Sequence, residues 1–193
     1  MINDTFLEED NVKTEGDAVT KSFAGALQHN PTYRGGVSEG RRKEFRTEWA
    51  RLIREESHCY VQPTEPISDI QHCEAIRRIS ESLSLRFEGI LKKGRLRYGT
   101  SQKAMNLYLK YLWRLGKAAT PPHCPIDSIV LGKGRISGAW TKCDSEKQYM
   151  EWIDALRIRA ESLCLAEWEY QVWLDGALKK RSTAKAGGPD VKC

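Results

Sequence analysis

The sequence predicts an all-α protein, a compact helical domain with flexible ends. Three observations predict it. Between residues 41 and 178 almost every stretch repeats its apolar residues at three- and four-residue spacing. Proline and glycine clusters cut that pattern into helix-length pieces. The 193 residues are 40% hydrophobic and 30% charged with a mean hydropathy of −0.58, a globular composition with enough apolar residues for one core.

Residues 1–40 hold few apolar anchors and end in Gly35, Gly36 and Gly40, so a poorly ordered arm is expected, with one short helix around Ala18–Leu27. The helical domain spans 41–182, and 183–193 reads as a disordered tail. In 41–57, Phe45, Trp49, Leu52 and Ile53 share one face. Pro63 and Pro66 interrupt the chain. Ser68 or Asp69 caps a helix to about Leu91 whose inward residues are Ile70, Cys73, Ile76, Ile79, Leu83, Phe87 and Ile90. After the basic turn KKGRLRYG, Thr100 or Ser101 caps a helix Gln102–Leu115 that Gly116 ends. Pro121, Pro122 and Pro125 forbid helix in TPPHCP. A short helix starts at Asp127, and Gly132, Gly134 and Gly138 mark a loop. One long helix, about 145–178, carries Trp152, Trp168 and Trp173. The total is five to seven helices.

Charge narrows the function classes. Six acids against Lys13 make residues 1–20 −5 and leave the rest of the chain at +10. A basic body of this size suits a polyanion such as nucleic acid, and it also suits an ordinary basic protein. The acidic arm can fold back on a DNA-binding face or dock a partner. No apolar run is long enough for a membrane span, and the acidic N-terminus lacks a signal-peptide pattern, so a cytoplasmic monomer is expected. Six cysteines lack CxxC spacing, and His58-Cys59, His72-Cys73 and His123-Cys124 lack zinc-finger spacing. Reduced, mostly buried thiols are expected, with no metal and no cofactor.

The informative segment is Lys92–Leu131. On its helix Ala104, Tyr108, Tyr111, Leu112 and Leu115 form a core face. Lys103, Asn106, Lys110, Arg114 and Lys117 form a second stripe, either a solvated face or one laid along phosphates. Lys103 falls in the expected first turn, where the macrodipole disfavours added positive charge, the condition a nucleophilic lysine requires. The helix carries the chain ~20 Å away from Lys103. The eleven residues Lys117–Asp127, extended by prolines, can span ~36 Å and return Asp127 to its side. Asp127 is then either one half of a catalytic pair or a helix N-cap.

Gln102-Lys103-Ala104, Lys110-Tyr111 and Cys124-Pro125-Ile126-Asp127 resemble the helix-hairpin-helix DNA glycosylases, most closely the archaeal 8-oxoguanine branch and its bacterial relatives, over about forty residues. The chain has Arg97-Tyr98-Gly99-Thr100 where that family's hairpin has Gly-x-Gly, and its lysine-to-aspartate gap is longer. The resemblance implies a helix-hairpin-helix-like DNA-binding element, Lys103 as Schiff-base lysine and Asp127 as the essential aspartate. The partner it implies is duplex DNA holding a damaged or modified base, either an oxidised purine in repair or a hypermodified viral base in phage defence. Such an enzyme extrudes the base from the helix. Lys92, Lys93, Arg95, Arg97, Lys110 and the backbone of Gly99 and Thr100 are the expected DNA contacts. Tyr98, Gln102, Trp113, His123 and Trp140 are the candidates for the base pocket. A non-catalytic helical DNA-binding module and a helical protein-interaction factor are the alternatives.

Overall fold

The structure, a computed structural model, describes residues 4–28 and 30–186. It is all-α, with eight helices among the described residues. They are α1 (Thr5–Glu9), α2 (Glu15–Leu27), α3 (Glu39–Ser57), α4 (Asp69–Phe87), α5 (Tyr98–Arg114), α6 (Ser128–Gly134), α7 (Glu146–Ala160) and α8 (Leu165–Ala186). None of the described helices is long and apolar enough to cross a membrane.

The organising element is α5. Fourteen of its seventeen residues are buried, so it has no solvated face, and the other helices pack around it. α2 lies closest. A Cβ on Gly25 would come 2.8 Å from Leu107 Cδ2, so the missing side chain lets the two helices meet. Aromatic contacts extend this layer into α3 and α4. Phe23 stacks on Trp49 at 4.5 Å, and Phe45 meets Phe87 edge-on at 5.3 Å. Ser68 caps α4 as expected, forming a capping box with Gln71, and Ser145 caps α7.

Several expectations change. The segment read as a poorly ordered arm is ordered beyond the short helix expected around Ala18–Leu27, which is α2 from Glu15 on: α1 precedes it, and Phe6, Val12, Ala18, Val19, Phe23 and Ala26 enter the core. Its anchors are spread over short capped helices, too sparse for a periodicity test. α5 begins four residues before Gln102. Thr100 and Ser101 are therefore inside it, where the Thr100 hydroxyl accepts from Asn30 and Ser101 donates to the Ile76 carbonyl. The long C-terminal helix is two, broken at Glu161, which adopts a φ of 54°. Ile70, expected inward, is 72% exposed. Of the tail expected over 183–193, residues 183–186 continue α8 and the remainder lies outside the described residues.

The start of α5 rests on a close backbone approach. The Gly99 N–H, one of the helix's unpaired first donors, donates to the Cys143 carbonyl at 2.9 Å. A Cβ on Gly99 would fall 1.9 Å from the Trp140 carbonyl oxygen, which is backbone and cannot rotate away. Gly99→Ala should therefore destabilise the protein by about 1–3 kcal/mol, the range for overpacked sites. Urea unfolding of the variant beside wild type measures this directly.

Candidate functional site

The chain after α5 is turned back by its prolines and reaches α5 again at the second helical turn. There Lys103 Nζ lies 2.7 Å from Asp127 Oδ2. Asp127 is the N-cap of α6, and its other oxygen, Oδ1, accepts the Ile129 and Val130 N–H groups at 2.9 Å each. Burial raises the Asp127 carboxyl, but the Lys103 charge and these hydrogen bonds outweigh it and hold the group below its ordinary range. The side chains are 10% exposed at Lys103 and 25% at Asp127, so the carboxylate has an open edge. Because α5 starts at Tyr98, Lys103 is not in the first turn, and the macrodipole argument for it lapses. What faces its charge is the Asp127 carboxylate.

Gln102, expected in a base pocket, is wholly buried and serves the backbone instead. Its Nε2 donates to the Ile126 carbonyl at 2.8 Å, and its Oε1 accepts the Ile126 N–H at 3.2 Å. A polar network continues from it. Asn106 Nδ2 donates to Gln102 Oε1 and to the Tyr149 hydroxyl. Asn106 Oδ1 lies 2.8 Å from His72 Nε2, and His72 Nδ1 lies 2.8 Å from the Tyr60 hydroxyl. On the other side the Tyr149 hydroxyl meets His123 Nδ1, and His123 Nε2 reaches Asp69, which Arg157 grips with two nitrogens. With both histidines neutral and protonated on Nε2, each donor in this chain has an acceptor. His123, expected in the base pocket, is thus a core residue.

Of the stripe read as solvated or phosphate-facing, Lys103, Asn106 and Lys110 are buried, Arg114 is half-buried and Lys117 is exposed. Lys110 is 2% exposed, and its ammonium is paired with Glu169 of α8 at 2.6 Å. Its ammonium sits 4.1 Å from the centre of the Phe6 ring, with Tyr170 and Trp173 at 5.7 and 5.8 Å. Burial pushes the Lys110 ammonium down, and Glu169 opposes the shift. This cannot be a phosphate contact, since no phosphate reaches it. Asn106 and Arg114 are likewise occupied, Arg114 by Asp4. Glu169, Phe6, Tyr170 and Trp173 are site residues that sequence reasoning missed. The available signal was the i, i+4 spacing of Glu169 and Trp173 on α8, an acid and an aromatic on one face.

The basic turn is at the surface. Lys92 and Lys93 are exposed, while Arg95 and Arg97 pair with Asp144 at 2.6 and 3.2 Å. Two cations join it from elsewhere. Arg34 bonds the Leu91 carbonyl, and the exposed Lys142 is brought in where its own carbonyl accepts from Arg97. The N–H groups of Gly99 and Thr100, expected to hold phosphate, donate to the Cys143 and Arg97 carbonyls. Tyr98 is buried and directs its hydroxyl to the Cys73 carbonyl, and Trp140 is buried against Gly99. Trp113 is half-buried and packs edge-on to Tyr170, 6.3 Å between centroids. Of the five expected pocket residues, none has been brought to the Lys103–Asp127 pair as a free stacking face except that Trp113 borders the aromatic group around Lys110.

Three acids of the first twenty residues are engaged by groups elsewhere in the fold. Asp4 meets Arg114, Asp10 accepts from Tyr111 and Glu15 meets Arg54 and Tyr108. An arm folded on the basic turn is thereby corrected. The five described cysteines are unpaired, with Cys73, Cys124 and Cys143 buried. Among the described residues no group of three or more His, Cys, Asp or Glu side chains is arranged to hold a metal. A groove of about 720 Å³ lined by Glu15, Arg54, Tyr108 and Lys117, among others, includes neither Lys103 nor Asp127. No protein-family model, curated protein or solved structure matches the chain.

The network predicts how stability varies with pH. Burial pushes His72 well below its ordinary range, helped by His123, and lowers His123 despite Asp69. The unfolded chain takes up these protons near pH 6.5 and the folded one does not, so stability is complete above that pH and falls below it. Each histidine contributes up to about 1.4 kcal/mol per pH unit. Asp69, held low by His123 and Arg157, stays ionised in both states until about pH 4 and does not offset the loss. Urea unfolding at pH 7.5, 6.5 and 5.5 should show the decline, and His72→Gln should flatten it.

Proposed function

We propose that the chain is a DNA glycosylase using a lysine–aspartate pair, with the capacity to cleave the strand at the resulting abasic site. The observation that carries this reading is the 2.7 Å contact between Lys103 and an Asp127 held at a helix N-terminus with one edge open. Asp127 takes a proton from the Lys103 ammonium. The freed Nζ lone pair attacks C1′ of the target nucleotide, and the glycosidic bond breaks with its electron pair leaving on the base. The proton that Asp127 has taken passes to the departing base, and the regenerated carboxylate offsets the positive charge of the Nζ–C1′ adduct and removes its proton as the sugar opens. Opening of the sugar gives an imine with Lys103, from which elimination cleaves the strand.

Binding is supported by the surface cations Lys92, Lys93, Arg95, Arg97, Arg34 and Lys142, which come from three segments onto one face. A flipped base needs an aromatic surface and polar groups for its edge. Two turns from Lys103 on the same face of α5, the Lys110–Glu169 pair lies among Phe6, Tyr170 and Trp173, which offers both. Phe6, stacked on Tyr111, closes that group in this structure, so this reading requires its ring to swing aside for a base to enter. The substrate is an oxidised purine or a hypermodified viral base.

A second reading has its own observation. Asp127 caps α6 through two backbone N–H groups, a complete structural role, which favours a non-catalytic helical module that grips DNA through the same cations. Asp127→Asn separates the two, because Asn caps a helix about as well as Asp. Under the catalytic reading the variant folds normally and releases base at least ~100-fold more slowly. Lys103→Gln abolishes borohydride trapping on abasic DNA. An Asp127→Asn protein with undiminished base release removes Asp127 from the mechanism.

The grip on DNA is tested separately. Replacing Lys92, Lys93, Arg34 and Lys142 by Ala should weaken binding to any sequence. It should also lower the slope of log K against log salt by about 0.9 for every phosphate that is no longer neutralised. Fluorescence anisotropy between 50 and 200 mM salt, roughly the range over which counterion release dominates, measures both.

A further inference from the structure

We infer that Gln102 is the positioning residue of the Lys103–Asp127 pair, a two-point amide clamp on the peptide that delivers Asp127. The activity half of this inference rests on the glycosylase reading; the geometric half does not.

The loop between α5 and α6 contains Pro121, Pro122 and Pro125 and forms no helix or strand that could fix its register. Its last residue before Asp127 is Ile126, buried, and both backbone groups of Ile126 are bonded to the one Gln102 side chain. Gln102 is adjacent to Lys103 on α5. One helical turn therefore supplies the cation for Asp127 and also the template for the peptide that precedes it. The orientation of the clamp is determined as well. Asn106 donates to Gln102 Oε1, so exchanging the amide nitrogen and oxygen would set two N–H donors against each other. Asn106 is in turn oriented by His72 on its oxygen and Tyr149 on its nitrogen. Position matters here because a displacement of ~1 Å in a reacting group can lower a rate ~100-fold. An amide of this kind is not replaceable by shape. Methionine fills similar volume yet leaves the Ile126 N–H and carbonyl without partners.

The test compares wild type, Gln102→Met and Gln102→Glu in the full chain. Glutamate keeps the acceptor for the Ile126 N–H and loses the donor to its carbonyl, so it provides a second variant should the methionine protein not fold. Two quantities are read. The first is amide hydrogen exchange at Ile129 and Val130, whose N–H groups Asp127 accepts, against Trp49 and Ile53 in α3. The second is borohydride trapping on a duplex with one abasic site, together with the Kd for that duplex. The expected result is a loss of protection at Ile129 and Val130 at least ~10-fold beyond any loss in α3. Trapping should fall at least ~10-fold at nearly unchanged Kd. A distant core variant, Ile79→Val, should lower protection evenly and leave trapping as it was.

Uniform loss of protection in a folded Gln102 variant overturns the inference, since the amide is then only a core contact. Full trapping by either folded variant overturns it too. A wild-type protein that traps nothing counts against the glycosylase reading alone, and hydrogen exchange still decides whether Gln102 holds Asp127.

Discussion

A helix buried on every side can keep polar residues only if each finds a partner inside the protein. α5 carries Thr100, Ser101, Gln102, Lys103, Asn106 and Lys110, all buried, and the rest of the fold is arranged to answer them. Asn30 meets Thr100, the α4 backbone meets Ser101, and Ile126 meets Gln102. Asp127 meets Lys103, His72 and Tyr149 meet Asn106, and Glu169 meets Lys110. The partners come from five different regions of the chain. A missing partner on any of them would strand a buried polar group at a cost of about 1–3 kcal/mol, more for a charge. Such a set of obligations selects one packing arrangement where apolar contacts alone would accept several.

The same requirement explains why the acidic N-terminus belongs to the fold. Arg114 and the hydroxyls of Tyr108 and Tyr111 all lie on α5, and Asp4, Glu15 and Asp10 satisfy them. Three of the segment's acids are thus engaged on α5, Glu15 also reaching Arg54 of α3, while the acid that meets the arginines of the 92–97 turn is Asp144. The two regions of opposite charge have separate roles. One closes the core over Lys110, and the other stays at the surface, where charge is most useful for a polyanion.

How much of this was legible follows from the type of signal. Periodicity was enough for α3, and periodicity with a serine cap for α4, because both helices have a distinct apolar face; the Ser38 cap of α3 fell in the segment read as an arm. The approach of Asp127 to Lys103 was legible as reach, a matter of chain geometry once the prolines excluded helix. Burial of the stripe was not. Lys103, Asn106 and Lys110 at helical spacing look the same whether water or α8 lies opposite, and the deciding residues, Glu169 and Trp173, are some sixty positions away in sequence. The start of α5 was misplaced for a similar reason. One of its first donors, the Gly99 N–H, is satisfied by the Cys143 carbonyl, a long-range contact, and the expected cap residues Thr100 and Ser101 are used elsewhere. Tyr98, Gln102, His123 and Trp140 have polar or aromatic groups suited to a pocket, but those groups are consumed by the core.

The two readings of Asp127 do not compete for the same atom. Oδ1 accepts both N–H groups of the α6 cap, and Oδ2 receives Lys103. A cap alone would leave the second oxygen to water, as a surface cap does. Here that oxygen is set against a nearly buried ammonium. The positive end of α6 and the Lys103 charge together stabilise the ionised form of the carboxylate and keep it available as a base of low strength. The cap holds the carboxylate rigid beside the ammonium, a fixed geometry of the kind that electrostatic stabilisation of a developing positive charge requires. One side chain meets the fold's need for a helix cap and, under the proposed reading, also supplies an immobile carboxylate, because a carboxylate has two oxygens and each requirement uses one.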